Sequence, residues 1–408
     1  MAKRQQLPPQ IKKIEVLDRS TGKQVFRYQL TVDAGVDPQT GKRRQIRRRF
    51  STEKDARAEL AAIQGGVSAG TYVARNNSTI DQVCEEWLAS KHSLKESTLA
   101  GHRSKLNVLR AELGHVETQR LSKADLDVLV GRLRSGEAKG CKRKWSPRSC
   151  NYLLYLVAAI LDDQIRQGNL VRNVADLVDR VAGEPKPKAT LTSAQMLKIL
   201  DHDSRDRHLW TLALYGLRRG EISGLRWDNV NLTGKPVGDG DDALPARSVR
   251  IAENRVAVGS KITTGTPKSK ASRRTLPLPD DVVEVLKTAR KRQAKERLAF
   301  GPGYGEGGYV ACDETGHPYN PNLLYYRWGQ MLKELKIRRV RLHDARHTCG
   351  TLMHLRGVPI AVIAAWLGHA SAAFTMAVYV HSQDDALKDA GNSLSRPKRR
   401  RRSTPKTS

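Results

Sequence analysis

No stretch of this sequence approaches the roughly 18 consecutive apolar residues that a membrane-spanning helix needs, and no lipidation motif is present. The N-terminus, MAKRQQLPPQ, lacks the apolar core of a secretory signal. Cysteines are few: Cys84, Cys141, Cys150, Cys312 and Cys349 are scattered, odd in number and without a CxxC pair. That pattern argues against a disulfide or zinc framework and predicts reduced thiols in a cytoplasmic protein. No carboxylate cluster suggests a Mg²⁺ site, so neither a metal nor a cofactor is expected. Acidic residues are outnumbered, 42 against 72 Lys and Arg, which leaves a net charge of +30 over 408 residues. An excess of that size, spread along the whole chain, predicts a polyanionic partner, nucleic acid first. A basic membrane-surface protein is the competing reading, weakened by the missing apolar run and lipid anchor. The length suggests roughly two to four domains with real cores.

Residues 1–75 read as a small separate module. Strand character appears at 14–17, 25–32 and 45–50, divided by Ser20-Thr21-Gly22 and Asp37-Pro38-Gln39-Thr40-Gly41. A helix over 52–64 follows and is expected to stop at Gly65-Gly66. Lys42, Arg43, Arg44, Arg47, Arg48 and Arg49 place six cations in eight positions. Charge that guards a sheet edge is one reading; a sheet laid on DNA accounts for so many cations better. Alternation puts Arg43, Arg47 and Arg49 on one face.

Residues 76–181 have helical periodicity. Thr79 with Gln82 forms a capping box before Ile80, Val83, Cys84, Trp87 and Leu88. Periodicity recurs over 94–113 and 123–133, and Ser146-Pro147 starts a helix that buries Leu153, Leu154, Val157, Ile160 and Leu161 before Gly168. Lys142, Arg143 and Lys144 sit in the intervening loop, where plain solvation and DNA-backbone contact are both open. Residues 182–190, with Pro185 and Pro187, form a linker. A last domain, 191–395, opens on a Thr192–Gln195 capping box. It contains an apolar helix ending near Tyr215, an expected mobile Gly/Asp-rich loop over 234–242, and strands over 248–251, 256–262 and 274–278. Residues 396–408 read as a disordered basic tail. The fold class is therefore multidomain α+β: a three-stranded sheet plus helix, an all-helical domain, and a mainly helical domain with a small β-hairpin sheet.

The stretch 342–382 holds His343, Arg346, His369 and Tyr379. His343 and Arg346, three apart, share a helix face. Two imidazoles, a guanidinium and a phenol suggest chemistry on a phosphate. Four blocks carry the pattern: GLRRGEISGLRW at 216–227, TPKSKASRRTLPLP at 266–279, LHDARHT at 342–348 and WLGHASAAFTMAVYV at 366–380. In that order and spacing they resemble the tyrosine recombinase family, in particular phage-type integrases, and the resemblance covers the whole chain. It implies Arg218 as the first catalytic arginine, Lys268 as the hairpin lysine and His343 with Arg346 as the HxxR pair. It further implies His369 as the second histidine, Tyr379 as the nucleophile and Glu221 as the acid that supports Arg218. Lys270 competes with Lys268. Two positions depart from the family pattern: Tyr215 stands where a small residue usually precedes Gly-Leu-Arg, and Ala345 where Leu is common.

The resemblance implies an arm-site-binding domain at 1–75, a core-binding (SAM-like) domain at 76–181 and a catalytic domain at 191–395. The expected function is site-specific recombination that integrates or excises a phage or other mobile element through a 3′-phosphotyrosine intermediate. The expected partners are double-stranded DNA at core and arm attachment sites and three further copies of the chain, in a bacterial cytoplasm at the nucleoid. An excision factor and a host DNA-bending protein are candidate accessory partners. A DNA-binding regulator that has lost catalysis and a type IB topoisomerase-like enzyme are the alternatives.

Overall fold

The computed structural model describes residues 6–18, 22–36, 43–68, 73, 76–183, 190–265, 272–369 and 371–379. The chain divides into two compact units, residues 1–184 and 185–408.

In the first unit, β1 (Ile11–Leu17), β2 (Gln24–Val36) and β3 (Arg43–Phe50) form an antiparallel sheet in the order β1-β2-β3. Helix α1 (Glu53–Ser68) packs on it. The core is small: Ile11, Leu30, Val32, Ala56, Leu60 and Ile63. Strand alternation turns Ile46, Arg48 and Phe50 toward the helix side and leaves Gln45, Arg47 and Arg49 exposed. Arg48 ion-pairs with Glu59 of α1. Gly65-Gly66 does not stop α1, as the sequence suggested; neither glycine adopts the positive φ of a C-cap. Each costs only about 1 kcal/mol inside a helix, less than the burial of Ile63 returns.

The same unit contains α2 (Ile80–Ala89), α3 (Glu96–Leu113), α4 (Lys123–Ser135) and α5 (Pro147–Arg166). The Thr79 and Ser122 capping boxes and the Ser146 cap start three of these helices, and Gly136, at φ 88°, ends α4. Their apolar faces meet in one core around Leu106, Leu126, Leu133, Leu153 and Leu156. Lys142, Arg143 and Lys144 are exposed on the loop between α4 and α5.

The second unit opens with α6 (Ser193–Leu200), α7 (Arg207–Leu214) and α8 (Arg219–Gly224). Strands β4 (Val230–Asn231), β5 (Ser248–Ile251) and β8 (Arg274–Pro277) form an antiparallel sheet ordered β4-β5-β8. The strand expected over 256–262 is instead a hairpin, β6 (Asn254–Val258) and β7 (Lys261–Gly265), turning at Gly259 with φ 60°. Helices α9 (Asp280–Phe300), α10 (Pro321–Glu334), α11 (Leu342–Leu355), α12 (Ile360–Leu367) and α13 (Ala372–Tyr379) complete it. Trp210 of α7 and Trp328 of α10 meet edge to face at 5.4 Å in its core. Losing either ring would cost about 3–5 kcal/mol. The segment over 234–242, expected as a mobile loop, is exposed along its described residues and contains a short helical turn at Gly240–Asp242. Asn231 donates to the carbonyls of Lys235, Leu244 and Pro245 at 2.8, 3.1 and 2.9 Å, which draws the two ends of the segment together. Among the described residues no helix is long and apolar enough to cross a membrane.

Candidate active site

Helix α8 starts where it does because Arg218 is its N-cap: the Glu221 side chain accepts the Arg218 backbone N–H at 2.8 Å. The preceding turn needs Gly216, whose φ is 99° and whose added Cβ would fall 2.9 Å from the Leu367 side chain. Gly220 lets strand β6 lie against the helix, since a Cβ there would strike Asn254 Oδ1 at 1.9 Å. On the other wall, α11 begins beneath Arg341, with Asp344 accepting the Arg341 backbone N–H at 3.0 Å. Its first turn carries His343, exposed, and Arg346, only 2% exposed.

These pieces meet at the C-terminal end of α12. Three consecutive carbonyls there each receive one guanidinium. Arg274 Nε donates to Trp366 O at 2.6 Å, Arg346 Nη2 to Leu367 O, and Arg218 Nη2 to Gly368 O at 2.7 Å. Arg346 also donates to Gly216 O at 2.5 Å, which joins α11 to the turn before α8. The negative end of a helix favours cations at this point. Glu221, 2% exposed, balances them: it accepts from Arg218 Nη1 at 2.6 Å and from Arg274 Nη1 and Nη2 at 3.1 and 3.0 Å. Burial alone would raise its carboxyl pKa. The Arg274 hydrogen bonds and the charges of Arg274 and Arg218 outweigh that and hold it below the usual range.

His369 follows the carbonyl cap directly. Its Nδ1 lies 2.8 Å from Thr375 Oγ1 of α13, whose hydroxyl reaches Ser371 O at 3.3 Å. The Thr375 hydroxyl thus sits between the His369 ring and the Ser371 carbonyl and orients the imidazole. Burial, then the charges of Arg346, Arg218 and Arg274, push the His369 pKa down to about 4. His343 is likewise held below the ordinary imidazole value, first by the protein packed around its base and then by Arg346. The residue is exposed, and its ring lies 4.9 Å from the His347 ring in an edge-to-face contact.

The structure thus brings together Arg218, Glu221, Arg346 and His369, with His343 one turn from Arg346. Tyr379 is the last residue of α13; its side chain lies outside the described residues, as do Lys268 and Lys270. Of the basic strand, Arg47 and Arg49 are exposed; Lys42 and the side chains of Arg43 and Arg44 lie outside the described residues. Sequence reasoning missed Arg274 and Thr375. Arg274 had a signal: in β8 it shares the inward parity of Ser272, Leu276 and Leu278, and an arginine in a core register needs a buried acid. The unexpected Tyr215 also has a place. Its hydroxyl donates to Pro277 O at 2.7 Å, its ring packs 4.9 Å from Trp366, and Trp366 Nε1 donates to Tyr215 O at 2.9 Å.

Residues 243–386 match the phage integrase family and residues 15–66 match an arm DNA-binding domain. An integrase of Streptomyces ambofaciens is 28% identical over 366 residues, 86% of this chain and 89% of that one. A XerC-like tyrosine recombinase of Caldanaerobacter subterraneus subsp. tengcongensis is 26% identical over 87% of this chain and 92% of its own. Among solved structures, the Tn1549 transposon integrase in complex with a circular intermediate DNA superposes with a TM-score of 0.61, at 18% identity, over 78% of this chain and 100% of that one.

Proposed function

This chain belongs to the tyrosine recombinase family, among the phage-type integrases, and on that footing we propose which of its residues break and rejoin DNA. The observation that supports the proposal is the carbonyl cap on α12, which holds the Arg218 and Arg346 guanidiniums beside His369. Arg218 and Arg346 take the non-bridging oxygens of the scissile phosphate, where charge grows in the transition state. Neither deprotonates at working pH, so they act without a metal.

Tyr379 is the nucleophile. Its phenolic oxygen bonds to phosphorus, its proton passes to His343, and the bond from phosphorus to the 5′-oxygen breaks. The depressed pKa of His343 keeps that imidazole neutral and ready to accept. Lys268 supplies the proton for the departing 5′-oxygen. The resulting 3′-phosphotyrosine retains the bond energy, and the 5′-hydroxyl of a partner strand reverses the step to join the new strand. His369 waits neutral. A bound phosphate raises its pKa again, and Nε2 then donates to a non-bridging oxygen.

The partner is double-stranded DNA. Residues 76–181, with Lys142, Arg143 and Lys144 on an exposed loop, hold the core site. Residues 1–75 bind separate arm sites through Arg43, Arg44, Arg47 and Arg49, with Lys42 at the strand's start. Four copies assemble on paired sites in the bacterial cytoplasm at the nucleoid, with an excision factor and a DNA-bending protein as accessories.

The test is covalent trapping on a nicked suicide duplex. Tyr379→Phe removes one hydroxyl, so it should bind core DNA normally and form no adduct. An adduct mapped to another tyrosine in that variant would sink the assignment. Cleavage should also proceed in excess EDTA; activity that stops on chelation and returns with Mg²⁺ would overturn the metal-free mechanism. Lys268→Ala should be slow on normal DNA and rescued by a 5′-bridging phosphorothiolate, whose sulfur leaves without a proton. Rescue in Lys270→Ala alone would move the role two residues along.

A further inference from the structure

We propose that Arg274 is a positioning residue for strand cleavage, holding Glu221 and the last turn of α12 so that the Arg218–Arg346 clamp keeps both its place and its net positive charge. Arg274 is 7% exposed at its side chain and Glu221 2%. Its hydrogen bonds run to Glu221, to Trp366 O and, from Nη1, to Ser272 O at 3.1 Å. Each goes to protein, so Arg274 acts through its neighbours and does not clamp phosphate. It grips three separate pieces of chain: the helix that starts at Arg218, the helix end that receives Arg218 and Arg346, and the residue that follows the 266–271 segment carrying Lys268.

The second part of the role is charge. Three guanidiniums and one buried carboxylate leave this cluster at +2. A phosphodiester enters with one negative charge and gains close to a second in its five-coordinate transition state, so a cluster at +2 matches the state that matters. Without Arg274, Glu221 would have Arg218 as its remaining guanidinium partner and would neutralise the residue meant for the phosphate. A buried carboxylate that loses a partner is also destabilised. Lysine could restore the charge but not the fork, because one ammonium cannot span both Glu221 oxygens and the Trp366 carbonyl in a plane.

The inference rests on the active-site reading above, and the experiment separates the two. Single-turnover cleavage of a suicide core-site duplex is measured with the full-length chain at saturating concentration, alongside affinity for the same duplex and thermal melting. Arg274→Met should slow cleavage about 100-fold or more, the scale of losing a preorganised charge, while affinity changes by less than about threefold, since ground-state contacts remain. Arg274→Lys should recover about tenfold of that loss. Adding Glu221→Gln to Arg274→Met returns the cluster to +2 and should make cleavage faster than in Arg274→Met alone. Wild-type cleavage in Arg274→Met would overturn the role. Equal loss of cleavage and affinity, in step with melting, would reduce Arg274 to scaffold and also overturn it. If the methionine variant does not fold, Arg274→Lys carries the same comparison. Tyr379→Phe runs beside them: an adduct there removes the active-site reading itself, whereas no adduct there together with full activity in Arg274→Met removes only this inference.

Discussion

Arginines are used in two opposite ways in this molecule. In the second unit Arg218, Arg274 and Arg346 are held against backbone carbonyls, Arg218 and Arg274 also by the buried Glu221, so each is fixed by the fold itself. In the N-terminal sheet Arg47 and Arg49 project from an outer strand into solvent. Arg274 and Arg346 give up most of their hydration during folding while Arg218 keeps its side chain 31% exposed, and under the proposed function this first group meets a charge that appears only at the transition state. The second keeps its hydration and its freedom until a polyanion displaces counterions. Fixed cations select a geometry; solvated cations supply affinity.

The sharpest way to break that contrast is one conservative change made at both places. Arg346→Lys and Arg218→Lys keep the charge but lose the fork that reaches a carbonyl and a phosphate oxygen together. Cleavage should fall about 10²–10³-fold in each. Arg47→Lys and Arg49→Lys should leave arm-site affinity within about threefold, because a phosphate contact in solvent needs charge more than planarity. Single-turnover cleavage and arm-fragment binding measure the two. Equal losses at both places would erase the distinction.

Much of this was legible in the chain. Capping boxes at Thr79 and Thr192 start helices where the pattern put them, and of the residues in the four ordered blocks Arg218, Glu221, Arg346 and His369 come together in the fold. What escaped was whatever depends on contact between distant segments. The meeting of Trp366, Leu367 and Gly368 carbonyls with three arginines lies 92, 21 and 150 residues apart in sequence. No local periodicity encodes it. The hairpin at Gly259 was missed for a different reason: β6 and β7 together are apolar and branched enough to read as one strand. The α1 glycines misled because glycine weakens a helix without forbidding it.

A smaller effect sharpens the comparison through pH. Burial pushes His208 down to about 4, and burial with neighbouring arginines does the same to His369. In the unfolded chain an imidazole titrates near ~6.5. Below that pH the unfolded chain takes up protons that the folded chain refuses. The stability tied to these neutral rings is thus fully present above ~6.5 and declines as pH falls toward 4. The fully buried His208 alone contributes a slope of about 1.4 kcal/mol per pH unit in that window. Residues 1–75 contain no histidine, so arm-site affinity should show no imidazole step over the same range. Chemical denaturation of the full chain between pH 7 and 5, with His208→Gln as the flattened control, reads the first; arm binding at the same pH values reads the second. A pH-independent stability in the unsubstituted chain would contradict the burial assigned to these rings.

The smallest expected effect concerns single arginines of β3, and it separates binding from edge protection. Gln45, Arg47 and Arg49 share the exposed face, while Arg48 points to the helix side and is paired with Glu59. If that face lies on a duplex, each phosphate contact releases close to one counterion, so Arg47→Ala and Arg49→Ala should each reduce the slope of log K against log salt by about 0.9. Arg48→Ala should leave the slope unchanged and lower the module's stability by about 0–1 kcal/mol, the worth of a half-exposed ion pair. Removing residues 1–75 should erase the arm footprint on a long attachment-site fragment while cleavage at the core site persists. Strand charge that served only to keep edges apart would behave otherwise. The two alanine variants would then bind with the parent slope, the truncated chain would protect the same DNA as the full one, and the loss would appear as aggregation.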